Sequence, residues 1–188
     1  MDDPAEAFPY DFFDQTTGRV GITLSGDEAL DTWTLAHELA HAYQWAFDPL
    51  AYEAEPSWIH EGLAEYLVYV ELGSRDPTAA RAFLEHAARE TLARGLPFER
   101  VFSDVYAASW ERTYPVAMLA IALLAREPEG PAKLRAYFRA HGPTHPARAL
   151  RRVFGFGPRE LSQRVERLAH ELGGPGSRSR SGVFDRTE

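Results

Sequence analysis

The chain has no cysteine. This excludes disulfides, thiolate metal sites and a cysteine nucleophile together, so any metal it holds must be bound through His, Asp or Glu. Long apolar runs are missing as well. The longest candidate, Val116 to Ala125, follows Pro115 and is about half of the roughly 20 residues that a membrane-spanning helix requires, so no transmembrane segment is expected. Positive charge is scarce: 20 Lys and Arg stand against 28 Asp and Glu, a net charge of -8. Such a balance provides no overall basic field for nucleic acid or anionic lipid, and polyanionic partners are not expected. Met1-Asp2-Asp3-Pro4 offers neither the positive n-region nor the apolar h-region of a signal peptide. A soluble chain follows as the expectation, cytoplasmic or a processed or recombinant fragment of a secreted protein.

What is present is enough for one sizeable core, since 45% of the 188 residues are hydrophobic and 12% aromatic. Two short aromatic or β-branched runs, Phe8 to Phe13 and Arg19 to Leu24, flank a turn at Asp14 to Gly18 and read as a hairpin. Ser25 and Glu28 have the spacing of a capping box, and the stretch from Asp27 to Phe47 then stays free of Gly and Pro and reads as the first helix. Ser57 caps a second helix through Val70, with Gly73 past its end, and Asp76-Pro77 opens a third that stops near Gly95. Pro115, Pro131, Pro146 and Pro158 each stand where a further helix begins. The fold class expected is α+β and predominantly α: a short hairpin or sheet edge in 1–25, two helices in 26–72 and a helical part in 73–172, forming one domain. Residues 173–188, rich in Gly, Ser and Arg, have little to bury and are expected to be disordered.

Within the first helix lies His37-Glu38-Leu39-Ala40-His41. Two imidazoles four residues apart share a helical face, with a carboxylate beside the first, which is the zinc-binding HExxH pattern. The surrounding apolar residues Leu35, Ala36, Leu39, Ala40, Tyr43 and Trp45 predict a largely buried helix whose histidines need partners. A catalytic zinc takes a third protein ligand and leaves one position open. The second helix, Trp58-Ile59-His60-Glu61-Gly62-Leu63-Ala64-Glu65-Tyr66, offers Glu61 and Glu65 on one face, with His60 about 100° around from Glu61. A like-charged pair at that spacing is mildly unfavourable alone, and a nearby cation is the economical explanation. His141 and His145 repeat the spacing of four, but Pro143 and Pro146 place them in a loop; His86 and His170 read as solvated helix residues.

These two segments together resemble the gluzincin metallopeptidases, most closely the small peptidase MA-like domains related to the aminopeptidase N and thermolysin families. Nineteen residues separate His41 from Glu61, the thermolysin spacing, while Glu61-Gly62-Leu63-Ala64 is closer in residue type to aminopeptidase N. The resemblance covers about residues 19–172 and implies a minimal thermolysin-like domain. It implies zinc bound by His37, His41 and Glu61, with Glu38 as general base and Glu65 as an outer carboxylate, and leaves His60, at eighteen, as a rival ligand. Gln44 and Phe47, third and sixth after His41, do not fit the metzincin pattern of three histidines. Thr113-Tyr114-Pro115-Val116-Ala117-Met118-Leu119-Ala120, followed by Ala136-Tyr137-Phe138-Arg139, resembles the aminopeptidase N segment that supplies a transition-state tyrosine. By that match the tyrosine is Tyr114, with Tyr106 as the alternative.

The activity implied is zinc-dependent hydrolysis of a peptide or protein substrate. No Gly-x-Met-Glu-Asn segment is present to grip a free substrate amine, which argues against an aminopeptidase. The Arg19 to Leu24 strand is placed to pair with an extended peptide. Two readings of other classes stand beside this one: an inactive scaffold in which zinc only staples the first two helices, and a helical interaction domain without metal.

Overall fold

A computed structural model of the protein describes residues 12–14, 16–50, 57–94, 101–102, 113–141 and 146–174. Its elements are strands β1 (Phe12–Asp14) and β2 (Arg19–Gly21), then helices α1 (Glu28–Phe47), α2 (Ser57–Arg75), α3 (Pro77–Arg94), α4 (Tyr114–Ala125), α5 (Gly130–His141), α6 (Pro146–Phe154) and α7 (Pro158–Gly173). The expected α+β, mostly helical architecture is therefore the one found. The strands pair antiparallel with Phe13 opposite Val20. Gly18 takes a left-handed φ of 67°, and its N–H donates to the Asp14 carbonyl, closing the turn. Phe13 packs against Trp45 of α1, with ring centroids 6.1 Å apart. Phe8 to Asp11 and Tyr106 lie outside the described residues.

All four proline-led helix starts are found where the sequence puts them. Three local details differ. The first cap is Asp27, whose carboxylate accepts from the N–H groups of Ala29 and Leu30, while Ser25 donates to Asp31. Gly26 at φ 84° turns the chain between them, so Ser25 is too early to cap. The second helix runs through Gly73 to Arg75 and stops only where Asp76 caps α3. A Cβ on Gly73 would meet Ala80 at an ordinary 3.6 Å, so nothing forces an end there. The third difference is His141, which closes α5 rather than lying in a loop; His145 and the tail beyond Gly174 are outside the described residues.

The core is built around α4. Its Val116, Ala117, Met118, Leu119, Ala120, Ile121, Ala122 and Leu124 are all buried, and a helix that is apolar on every side must be surrounded. Helices α2, α3, α5 and α7 all contact it. The longest apolar run of the sequence is thus the centre of the protein, and no described helix is long and apolar enough to cross a membrane. Where α2 crosses α4, a Cβ on Gly62 would lie 2.7 Å from the Ala117 carbonyl oxygen. Only a residue without a side chain permits that approach, and the next residue back is Glu61. Replacing Gly by Ala inside a helix ordinarily stabilises by about 0.5–1 kcal/mol. Gly62→Ala is expected to do the reverse, lowering stability by about 1–3 kcal/mol through overpacking, as thermal unfolding would register.

Candidate metal centre

Helix α1 is turned opposite to its apolar pattern. Leu35, Leu39 and Tyr43, expected inside, are 40%, 51% and 64% exposed, whereas Thr34, His37, Glu38, His41 and Gln44 are buried together with Ala40. The reason is the neighbour: α1 presents its histidine face to α2, whose Glu61 and Glu65 are also buried. Gln44 fixes the crossing by donating from Nε2 to the His60 carbonyl at 2.9 Å.

Three side chains from the two helices converge. His37 Nε2 lies 3.1 Å from Glu61 Oε2 and 3.1 Å from His41 Nε2, and the His41 Nε2 to Glu61 Oε2 distance is 3.3 Å. A tetrahedral ion with ligand distances of 2.0–2.1 Å would have ligand edges of about 3.3 Å. The triangle is already at nearly that spacing. The other nitrogen, His37 Nδ1, is 3.3 Å from Glu65 Oε1. A neutral His37 that donates from Nδ1 to Glu65 turns the lone pair of Nε2 into the triangle, as outer carboxylates do for metal-bound histidines. Three acceptor atoms then face one another in a buried place, which only a cation or a shared proton relieves. The buried trio His37, His41 and Glu61 can therefore hold a metal ion.

Without an ion, a proton takes that place. Burial by itself would push the His37 imidazole down, but the Glu61 and Glu65 carboxylates outweigh it and raise His37 to about 10. Burial would likewise raise the Glu61 carboxyl, yet hydrogen bonds from His37 and His41 hold it at about 2.

The expected residues fall into place unevenly. Glu38 is buried on α1 beside His37 but outside the ligand trio. His60, the rival ligand, is not part of the trio; its ring lies 5.6 Å from that of Phe138. Tyr114 comes from 77 residues further along the chain to lie at the head of α4, its ring centroid 5.8 Å from that of His37. Trp33, which the sequence reading did not single out, packs on His37 at 5.4 Å. Its place one turn before His37 was the available signal. Compared with known proteins, the chain matches no protein family, no curated protein and no solved structure.

Glu61→Gln is expected to lower bound-metal content far more than His60→Gln, and Glu65→Ala to weaken metal binding by about 10 to 100-fold without abolishing it, as elemental analysis and chelator competition would show. Because His37 keeps its proton up to about 10, uptake of an ion near neutral pH must expel that proton. Affinity should then go on rising with pH up to about 10, and the binding enthalpy near neutral pH should vary with the ionisation enthalpy of the buffer.

Proposed function

We propose that the protein is a zinc-dependent peptidase. The observation that carries the reading is the triangle of His37, His41 and Glu61 with the Glu38 carboxylate on the adjacent helical position. It is the arrangement that the gluzincin-like spacing of the sequence implies. The set of two imidazoles and one carboxylate suits zinc, whose catalytic sites use three protein ligands of these types. A bound zinc would supply Lewis acidity toward a carbonyl oxygen and allow water to lose a proton near neutral pH.

The remaining work belongs to the chain's own side chains. Glu38 takes the proton of the attacking water on a carboxylate oxygen and passes it to the nitrogen of the leaving amine. Tyr114, already against His37, donates its phenolic hydrogen to the oxyanion as charge develops there. Glu65 holds His37 by its Nδ1–H. An extended substrate pairs with the outer edge of β2, which has no strand beside it among the described residues, by backbone hydrogen bonds that select little for side chains.

Glu38→Gln keeps size and helix propensity while removing the proton acceptor. It is expected to retain zinc and lose nearly all cleavage of a mixed-peptide substrate. Tyr114→Phe should lower kcat by roughly 100 to 1,000-fold with KM and zinc content nearly unchanged. Stoichiometric zinc without turnover in the unaltered protein would instead assign the ion a stapling role between α1 and α2.

A further inference from the structure

The net charge of -8 conceals a segregation along the chain. Residues 1–76 carry 16 acidic against 2 basic side chains, whereas residues 130–174 carry 9 Lys and Arg against 3 Glu. Helix α7 buries Leu161, Val165, Leu168 and Leu172. On its opposite face Arg159, Gln163 and Arg167 follow one another at intervals of four, which makes a row along the helix. Facing that row, Ala147 and Arg151 of α6 complete a groove of about 550 Å³. Gly157 lies at the junction, where a Cβ would sit 2.8 Å from Arg151 Nε. The missing side chain leaves the guanidinium its place in the groove.

Arg151, Arg159 and Arg167 are exposed, and none of them forms an ion pair or hydrogen bond through its guanidinium with another described residue. The carboxylate in the same groove, Glu160, is held by Arg164 at 2.6 Å. Three guanidiniums therefore share one groove in which, among the described residues, the one carboxylate is already paired with Arg164, in a chain that has acidic residues to spare. Arginine in such a setting matches carboxylate or phosphate oxygens with its planar fork of donors.

The spacing and the lining indicate the ligand. Arg159 and Arg167 are eight helical residues apart, about 12 Å along α7. That exceeds any single carboxylate or phosphate and corresponds to about four residues of extended polypeptide. Among the described residues no aromatic ring lines the groove, so bases would find none among them to stack on. The acidic first 76 residues also oppose a long, dense polyanion more than a short acidic peptide. We infer that the groove between α6 and α7 is a docking surface for an extended acidic segment of a partner polypeptide, whose carboxylates pair with Arg151, Arg159 and Arg167. None of these residues belongs to the metal centre, and the inference is independent of the peptidase reading.

The test is fluorescence anisotropy of the full chain with a labelled Glu-rich peptide of about 12 residues, with an oligothymidylate of equal length alongside, at about 50 and 200 mM salt. The peptide is expected to bind at the lower salt and to weaken at the higher. Changing Arg151, Arg159 and Arg167 together to Gln should weaken binding by about tenfold, with the far-ultraviolet circular dichroism and zinc content unchanged. The same loss of charge elsewhere, through Arg75→Gln, Arg81→Gln and Arg94→Gln on α2 and α3, should alter it by no more than about twofold. No binding of the peptide at about 50 mM salt would overturn the inference. Equal weakening by both triple variants would reduce it to net charge and overturn it too, and tighter binding of the oligothymidylate would make the groove a nucleic-acid surface instead.

Discussion

The backbone of α2 rests on the backbone of α4 at Gly62 and Ala117, and the side of the centre that α2 supplies depends on that contact. Helix α4 is apolar around its whole circumference, so it is held by burial on all sides and offers α2 a fixed wall. With Gly62 against Ala117 and His60 turned to Phe138, the 100° step of a helix leaves Glu61 and Glu65 on the face toward α1. The same α4 carries Tyr114 at its first residue. One packing contact therefore sets two sides of the site.

Helix α1 accepts the consequence. It buries a row of polar and ionisable side chains and leaves Leu35, Leu39 and Tyr43 outside, against the usual direction of hydrophobic burial. Burying His37, Glu38, His41, Glu61 and Glu65 in one region costs stability unless each polar atom is matched. The contacts seen are short-range: Glu65 Oε1 at 3.3 Å from one nitrogen of His37, Glu61 on the other, and Gln44 donating to the His60 carbonyl. The three facing atoms of the trio are one group that a metal ion would satisfy at once.

The charge pattern divides the sequence: residues 1–76, which include the trio, are acidic, and residues 130–174 are basic. Because α6 and α7 contribute only apolar side chains to the core, their outer faces are under no packing demand. Charge can be placed there without disturbing the centre.

Much of this was legible in the residues themselves. Histidines four apart on a helix share a face whatever surrounds them, so His37 and His41 needed no tertiary information. Pro115, Pro131, Pro146 and Pro158 mark helix starts by their fixed φ and missing N–H, which are local properties of the chain. Absent cysteine restricted the ligand types in the same context-free way. Ser25 was misread as a cap and Gly73 as a stop because caps and ends depend on the φ of a neighbour, here Gly26, and on what packs outside. Whether Leu35 and Leu39 face inward, whether Glu61 or the adjacent His60 turns toward α1, and whether Tyr114 arrives beside His37 were decided only by the tertiary structure. Periodicity gives relative angles within one helix, but the absolute rotation of that helix is set by contacts such as Gly62 on Ala117, made between residues more than 50 positions apart.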